Sequence, residues 1–362
     1  MKPGFMFSNR GMAFGLPFFY IFLVSASGPT ELMPVDQLEK YIQKKLRRND
    51  TTLKINDKYI GNEGAKALAQ SDLLRNVKTL VIYKGGIGDR GVRALAESKN
   101  LGSLGKLFLE NNNITDEGAR ILASSSTFAN LTVLNLYRNQ IGDAGARVLA
   151  ESKELSNLRE LNMNYNRVGD EGAYHLTNSK TLTRLEKIGL AYNPLGKPGN
   201  EAYQRFRMLR RIIDLHRENR LSEIGKYMVG DLGVSVLMNS PYVSELAELD
   251  LQGNGLTDAA VVSLSNSEKL GRLESLNLSS NHITDVGAIA IAESKTLTNL
   301  KRLDLNFNQV GNEGAKAISS SLLLANLESL KLGQNRIGTV GAKALNESKT
   351  LTNLIHPIFG FY

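Results

Sequence analysis

A pattern that returns every 27 residues governs this sequence. LTVLNLYRNQIGDAGARVLAESKELSN, from Leu131 to Asn157, is followed at once by LRELNMNYNRVGDEGAYHLTNSKTLTR, from Leu158 to Arg184. The opening apolar residue recurs at Val77, Leu104, Leu131, Leu158 and Leu185, and again at Leu246, Leu273, Leu300, Leu327 and Leu354. Self-similarity at such a spacing specifies a solenoid, in which each unit packs on its neighbours. The 362 residues therefore need no single compact core.

Each unit opens L-x-x-L-x-L-x-x-N-x-I, the period-two pattern of a short strand. In the unit from Leu131, Leu134 and Leu136 are expected inside and Asn135 and Tyr137 outside. An asparagine recurs where the chain leaves the strand, at Asn112, Asn139, Asn166, Asn193, Asn254, Asn281, Asn308 and Asn335. Its amide can bond backbone groups of its own and the adjacent coil, which makes it structural. The second half of the unit has helical spacing, with Ala146, Leu149 and Ala150 on one face. Asp143, Asp170 and Glu171 fall in first turns, where they complement the helix dipole. A glycine inside each helix (Gly64, Gly91, Gly118, Gly145, Gly172, Gly287, Gly314 and Gly341) costs about 1 kcal/mol against alanine. Its recurrence predicts close packing of helix on strand. A serine column at Ser98, Ser152, Ser179, Ser294 and Ser348 ends the helices, where a hydroxyl can bond terminal carbonyls.

Strands stack about 4.8 Å apart whereas helices need about 8 to 10 Å, so the units fan out on the helix side. The expected fold is an α/β horseshoe with parallel strands on the concave face and helices on the convex face. These residues resemble the leucine-rich repeat superfamily, specifically its ribonuclease-inhibitor-like subtype with GALA-type helices. GAKAL at Gly64 to Leu68 and at Gly341 to Leu345 is the clearest local match. The likeness covers roughly residues 50 to 356. A fold of this kind hosts many functions, so it implies protein binding without naming the partner.

The absence of cysteine excludes disulfides, thiolate zinc sites, cysteine nucleophiles and cysteine-dependent ligase chemistry. His175, His216, His282 and His356 occupy unrelated repeat positions and assemble no metal cluster or triad. No GxxxxGK[ST] loop occurs, which argues against a nucleotide-driven receptor. The sequence predicts no enzyme and no cofactor. A formal charge of +8 is a modest excess that does not call for nucleic acid.

Lys2 and Arg10 precede an apolar run from Met12 to Val24 and then Ser25-Ala26-Ser27-Gly28, the layout of a secretory signal peptide. Removing those two charges takes the mature chain from +8 to +6. The run contains Pro17 and is short against the roughly 20 residues needed to span a bilayer, so no membrane span is expected in the mature chain. The predicted organisation is a signal peptide over 1–26, a capping helix within 27–50 and regular repeats over 51–199. Irregular repeats with an insertion follow over 200–245, then regular repeats and a truncated last copy over 246–362. The capping helix is read from Leu38, Ile42 and Leu46 within Pro34 to Asn49. Its opening also resembles the first helix of the F-box that plant-pathogen GALA proteins carry, although an F-box needs several helices.

The register slips between Leu185 and Leu246, where 61 residues stand in place of 54. Asn219 to Glu223 and Val229 to Gly233 look like two decayed copies of the repeat turn, which predicts a distorted pair of repeats. Arg205, Arg207, Arg210, Arg211, Arg217 and Arg220 cluster here, with Phe206 and Leu209 interleaved. Such a helix can dock an acidic partner or simply present a solvated face. At the end, Pro357 interrupts the last strand pattern, and Phe359, Phe361 and Tyr362 either fold over the open core or leave it adhesive.

Function is then sought among the outward strand positions, the surface a horseshoe offers. The first half gives Tyr83, Lys84, Phe108, Glu110, Asn135, Tyr137, Arg138, Asn162, Asn164, Tyr165 and Tyr192. All but Glu110 form the candidate ligand-binding set. The second half gives Asp250, Gln252, Asn277, Ser279, Asp304, Asn306, Phe307, Lys331 and Gln334, polar apart from one aromatic. Tyrosine and arginine dominate interface energetics, so the first half is the candidate site for a protein ligand. Tyr165 and Tyr192 have an alternative role, shielding the asparagine that follows each. The expected function is a secreted, non-enzymatic protein-binding module, such as a bacterial effector or surface-associated protein. The resemblance leaves three alternatives: a cytoplasmic enzyme regulator of the ribonuclease-inhibitor kind, one of the Ran GTPase-activating kind, or a ubiquitin-ligase substrate adaptor.

Overall fold

The computed structural model describes residues 31–56 and 58–355. The signal-peptide stretch, His356 and the C-terminal aromatic residues lie outside them. Helix α1 (Val35–Leu46) precedes a strict alternation: β1 (Thr52–Asn56), α2 (Gly61–Gln70), β2 (Thr79–Tyr83), α3 (Asp89–Ala96), β3 (Lys106–Phe108), α4 (Asp116–Ser124), β4 (Val133–Asn135), α5 (Asp143–Ala150), β5 (Glu160–Asn162), α6 (Asp170–Thr177), β6 (Lys187–Gly189) and α7 (Lys197–Arg217). A 3-10 segment, Leu221–Tyr227, and α8 (Gly230–Asn239) interrupt it. Then come β7 (Glu248–Asp250), α9 (Asp258–Ser265), β8 (Ser275–Asn277), α10 (Asp285–Ala292), β9 (Arg302–Asp304), α11 (Asn312–Ser320), β10 (Ser329–Lys331) and α12 (Thr339–Asn346).

The strands form two parallel sheets, β1 to β6 in order and β7 to β10 in order. Register follows the repeat, Leu107 opposite Leu134 and Leu134 opposite Leu161. Leu134, Leu136, Ala146 and Leu149 are fully buried, as the pattern predicts. Helix α1 buries Leu38 and Ile42, and the Tyr41 hydroxyl donates to the Lys54 carbonyl of β1. At the other edge of this sheet the Tyr203 hydroxyl of α7 donates to the Ile188 carbonyl of β6 at 2.8 Å. Free strand edges attract other chains, and a helix-borne tyrosine touches both edges here.

The asparagine column is as expected. Asn139 donates to the carbonyls of Leu109 and Leu136 and accepts from the Ile114 amide, so one side chain joins two turns. The serine column differs in its partner: Ser152 donates to Ala123 O and Ser179 to Ala150 O, the closing carbonyls of the preceding helix.

Two expectations about the helices are corrected. The recurrent glycine answers to helix against helix, since a Cβ on Gly145 would stand 2.6 Å from Asp116 Oδ1 and 3.1 Å from Ala119 Cβ, both in α4. It would also stand 2.6 Å from Ile141 of its own unit. The first-turn carboxylate, read as serving its own helix, caps the next one. Asp116 accepts from the amides of Gly142 and Gly145, and Asp143 from those of Gly169 and Gly172. This relay runs through Asp170, whose partners are Gly196 and Gly199 of α7. It stops there because Lys197 stands where the next carboxylate is due.

The irregular segment contains one strandless repeat. Only the copy from Val229 to Gly233 opens a helix of the array, and its Asp231 resumes the relay by accepting from the Thr257 amide and hydroxyl. The copy from Asn219 leads into the 3-10 segment instead. That segment packs against β7, and Asn254 donates to its Gly225 carbonyl where a strand carbonyl would otherwise sit. Two hydrophobic cores result, the first reaching Phe206 and the second starting at Ile212, both on α7.

Candidate functional site on the concave face

From β2 onward the regular units leave their strands through one residue in the left-handed region, which stands just before the column asparagine in every case but Lys84, where Gly85 follows. The φ angle is 53° at Lys84, 54° at Asn111, 56° at Arg138, 57° at Tyr165 and 59° at Tyr192. The turn demands this conformation and the residue type is free, since the same position holds Gly253, Ser280, Phe307 and Gln334 in the second sheet. Glycine adopts it without strain, whereas other side chains lose about 1 to 2 kcal/mol.

Tyr137, Tyr165 and Tyr192 form an aromatic ladder along this edge. The ring centroids of Tyr137 and Tyr165 lie 5.2 Å apart, edge to face. Those of Tyr165 and Tyr192 lie 4.1 Å apart with planes 16° from parallel. Tyr165 and Tyr192 stand 27 residues apart at the same repeat position, so strand spacing of about 4.7 to 4.9 Å brings their rings together, whereas Tyr137 reaches Tyr165 from one residue before that column. Tyr165 is 39 % exposed and Tyr192 72 % exposed. Desolvation in the stack, and then the neighbouring Tyr192, raise the Tyr165 phenol above its ordinary pKa.

The other predicted positions divide. Tyr83 closes β2 half-buried, with the Lys84 ammonium 5.7 Å above its ring. Phe108 closes β3, half-buried, and Arg138 is exposed between Asn111 and Tyr165 in the left-handed column. Asn135, expected outside, is buried: its Oδ1 accepts from the Tyr137 amide and its Nδ2 donates to Glu110 Oε1 at 2.6 Å. Asn162 likewise accepts from the Asn164 amide, and Asn164 from the Ala191 amide of the next turn. In each of these three the side-chain carbonyl serves the backbone. Glu110, between Tyr83 and Tyr137 in the column, has its carboxyl pKa raised by burial, against the lowering effect of Asn135.

Tyr59 escaped the sequence reading because it lies before the first regular unit. It packs flat against Gly86, where any Cβ would overlap its ring. In the second sheet charges meet in pairs, Arg302 with Glu248 at 2.8 Å and Lys331 with Asp304 at 3.3 Å, and Phe307 stands alone at 60 % exposed. Among the described residues no group of three His, Cys, Asp or Glu side chains is placed to hold a metal ion. No helix there is long and apolar enough to cross a membrane.

Models of leucine-rich repeats match residues 103–123, 129–150, 154–176, 246–265 and 324–345 singly, and residues 271–314 as two copies. No curated protein matches the chain by sequence. Among solved structures, an internalin (InlF) from Listeria monocytogenes is similar at 20% identity, over 88% of this chain and 92% of its own, with a TM-score of 0.30. Internalin C2 from the same organism is 16% identical over 82% and 90%, with a TM-score of 0.27. The leucine-rich repeat ectodomain of the Arabidopsis receptor kinase HAESA, solved with a peptide hormone ligand, is 17% identical over 79% and 42%, with a TM-score of 0.28.

Proposed function

We propose that this leucine-rich repeat protein is a secreted, non-enzymatic binding protein that holds a protein partner against the aromatic half of its concave face. The observation that carries this reading is the placement of Tyr165 and Tyr192. Both keep a bulky side chain at a position that favours glycine, and burial gives little back, because Tyr192 is 72 % exposed. Shielding of the column asparagine does not account for them. Asn139, which follows Arg138, and Asn166, which follows Tyr165, are each 8 % exposed. Exposed, prestacked rings with few rotatable bonds suit an interface anchor.

The short convex helices with a buried glycine and alanine, as in α5, support assignment to the ribonuclease-inhibitor-like, GALA-type subtype. The division into a leader, a cap, two regular arrays and an irregular junction is likewise our reading. Cleavage after the leader is tested by mass spectrometry of the exported chain, and recovery of Met1 to Val24 on it overturns secretion by this route.

The binding proposal is tested by capturing partners on the wild-type chain, identifying them by mass spectrometry and measuring their affinity. Truncating an interface anchor costs about 2 kcal/mol or more, so Tyr165→Ala with Tyr192→Ala should weaken binding at least about thirtyfold. Tyr83→Ala with Tyr137→Ala should act in the same direction. Unchanged affinity in both double variants rejects the site.

A further inference from the structure

Four of the five arginines of α7 have no ion-pairing partner among the described residues; the fifth, Arg217, faces Asp214 at 4.0 Å. Among the described residues, Arg205, Arg207, Arg210 and Arg211 make neither a salt bridge nor a side-chain hydrogen bond, whereas Arg75, Arg93, Arg120, Arg159 and Arg302 each hold a carboxylate within 2.9 Å. Three of the four lie over aromatic rings instead: Arg207 is 5.7 Å from the Tyr203 centroid, Arg210 is 5.4 Å from Phe206, and Arg211 is 4.3 Å from Tyr227. A guanidinium over a ring is held in orientation while the donors on its edge stay available for a carboxylate. Arg210 Nε is buried with no partner among the described residues.

These groups sit at the seam where a strand is missing. Tyr203 reaches the edge of β6 through Ile188, and Tyr227 ends the 3-10 segment that replaces the strand. We propose that this seam is a second binding site, separate from the tyrosine ladder, which takes a short extended peptide segment with acidic side chains at alternate positions. The spacing fits: Arg207 and Arg211 are one helical step of four residues apart, about 6 Å of rise, and alternate side chains of an extended peptide repeat at about 6.7 Å. Charge also limits the length of the ligand. Asp214 and Glu218 continue the same helical face beyond Arg211, and they repel a long polyanion while leaving room for two or three carboxylates.

The test uses the full chain and a fluorescent hexapeptide of alternating Glu and Ser, which carries three side-chain carboxylates, read by anisotropy. The Glu peptide should bind about tenfold or more tightly than its Gln counterpart, and binding should weaken as salt rises. Arg207→Gln with Arg211→Gln, both exposed, should lose about tenfold, the worth of two solvent-accessible ion pairs. Arg93→Gln with Arg120→Gln, on the helices of the regular array, should lose little. Equal binding of the Glu and Gln peptides overturns the proposal. So does an equal loss in the two double variants, which would report net charge alone, or binding of a ten-nucleotide oligothymidylate at least as tight as the Glu peptide.

Discussion

At the scale of the residue, most conserved-looking positions of the repeat are consumed by joining one turn to the next. Asn139 satisfies three backbone groups at once. Asn139→Ala leaves the Leu109 carbonyl and the Ile114 amide unpaired, while the Leu136 carbonyl keeps Asn166, and should lower unfolding free energy by about 2 kcal/mol or more, measured by chemical denaturation. Gly145→Ala gains helix propensity worth about 1 kcal/mol, yet its methyl would meet an Asp116 carboxylate already fixed by two amides. The same denaturation should find it destabilised by about 1 to 2 kcal/mol. Tyr192→Asn separates folding from binding: asparagine tolerates the left-handed turn, so stability should change by less than about 1 kcal/mol while partner affinity falls. The period-two pattern in the sequence places Leu134 and Leu136 inside correctly, but it also put Asn135 outside, where the side chain is in fact buried. It could not reveal that Asn135, Asn162 and Asn164 bond the local backbone, because that depends on the turn that follows, and it could not show which tyrosines would stack.

At the scale of the element, the 3-10 segment Leu221–Tyr227 is the departure the repeat pattern left least legible. The slip itself is written in the spacing from Leu185 to Leu246, but the number of repeats inside it is not. Helix α7 runs on to Arg217 because Ile212 and Leu215 bury into the second core, which leaves too few residues for a strand before Val229. Arg220 and Lys226 both grip Glu223, at 3.0 Å each, and fasten the segment. Hydrogen bonds from Arg220 and then Lys226 lower the Glu223 carboxyl from 4.5 to about 2. A depressed carboxylate stabilises the fold above its ordinary range, and that contribution fades as pH falls from about 4.5 toward about 2. Carbon-detected NMR should place the Glu223 midpoint well below that of ordinary glutamates, and Arg220→Ala should raise it. A midpoint unmoved by that substitution contradicts the pairing.

At the scale of the whole molecule, two cores share one helix, and a repeat array gains cooperativity only through its interfaces. Urea unfolding followed by circular dichroism should therefore proceed in two steps. Leu303→Ala empties a nearly fully buried site of the second core, at about 2 to 5 kcal/mol, and should move one step and leave the other. A single transition that shifts as a unit would mean that α7 couples the halves rigidly. The relay of carboxylates has a bearing on how such a chain can change over generations. A copied 27-residue stretch brings an acid for the helix that follows it and offers its own helix start to the acid of the preceding unit, so tandem duplication within a regular half creates no unmatched joint. Immediately after the unit that ends in α7 the rule fails, because Lys197 offers nothing to accept. Gain or loss of copies is structurally silent on either side of the junction and is penalised across it, which makes the junction the fixed point about which the length of this chain can drift.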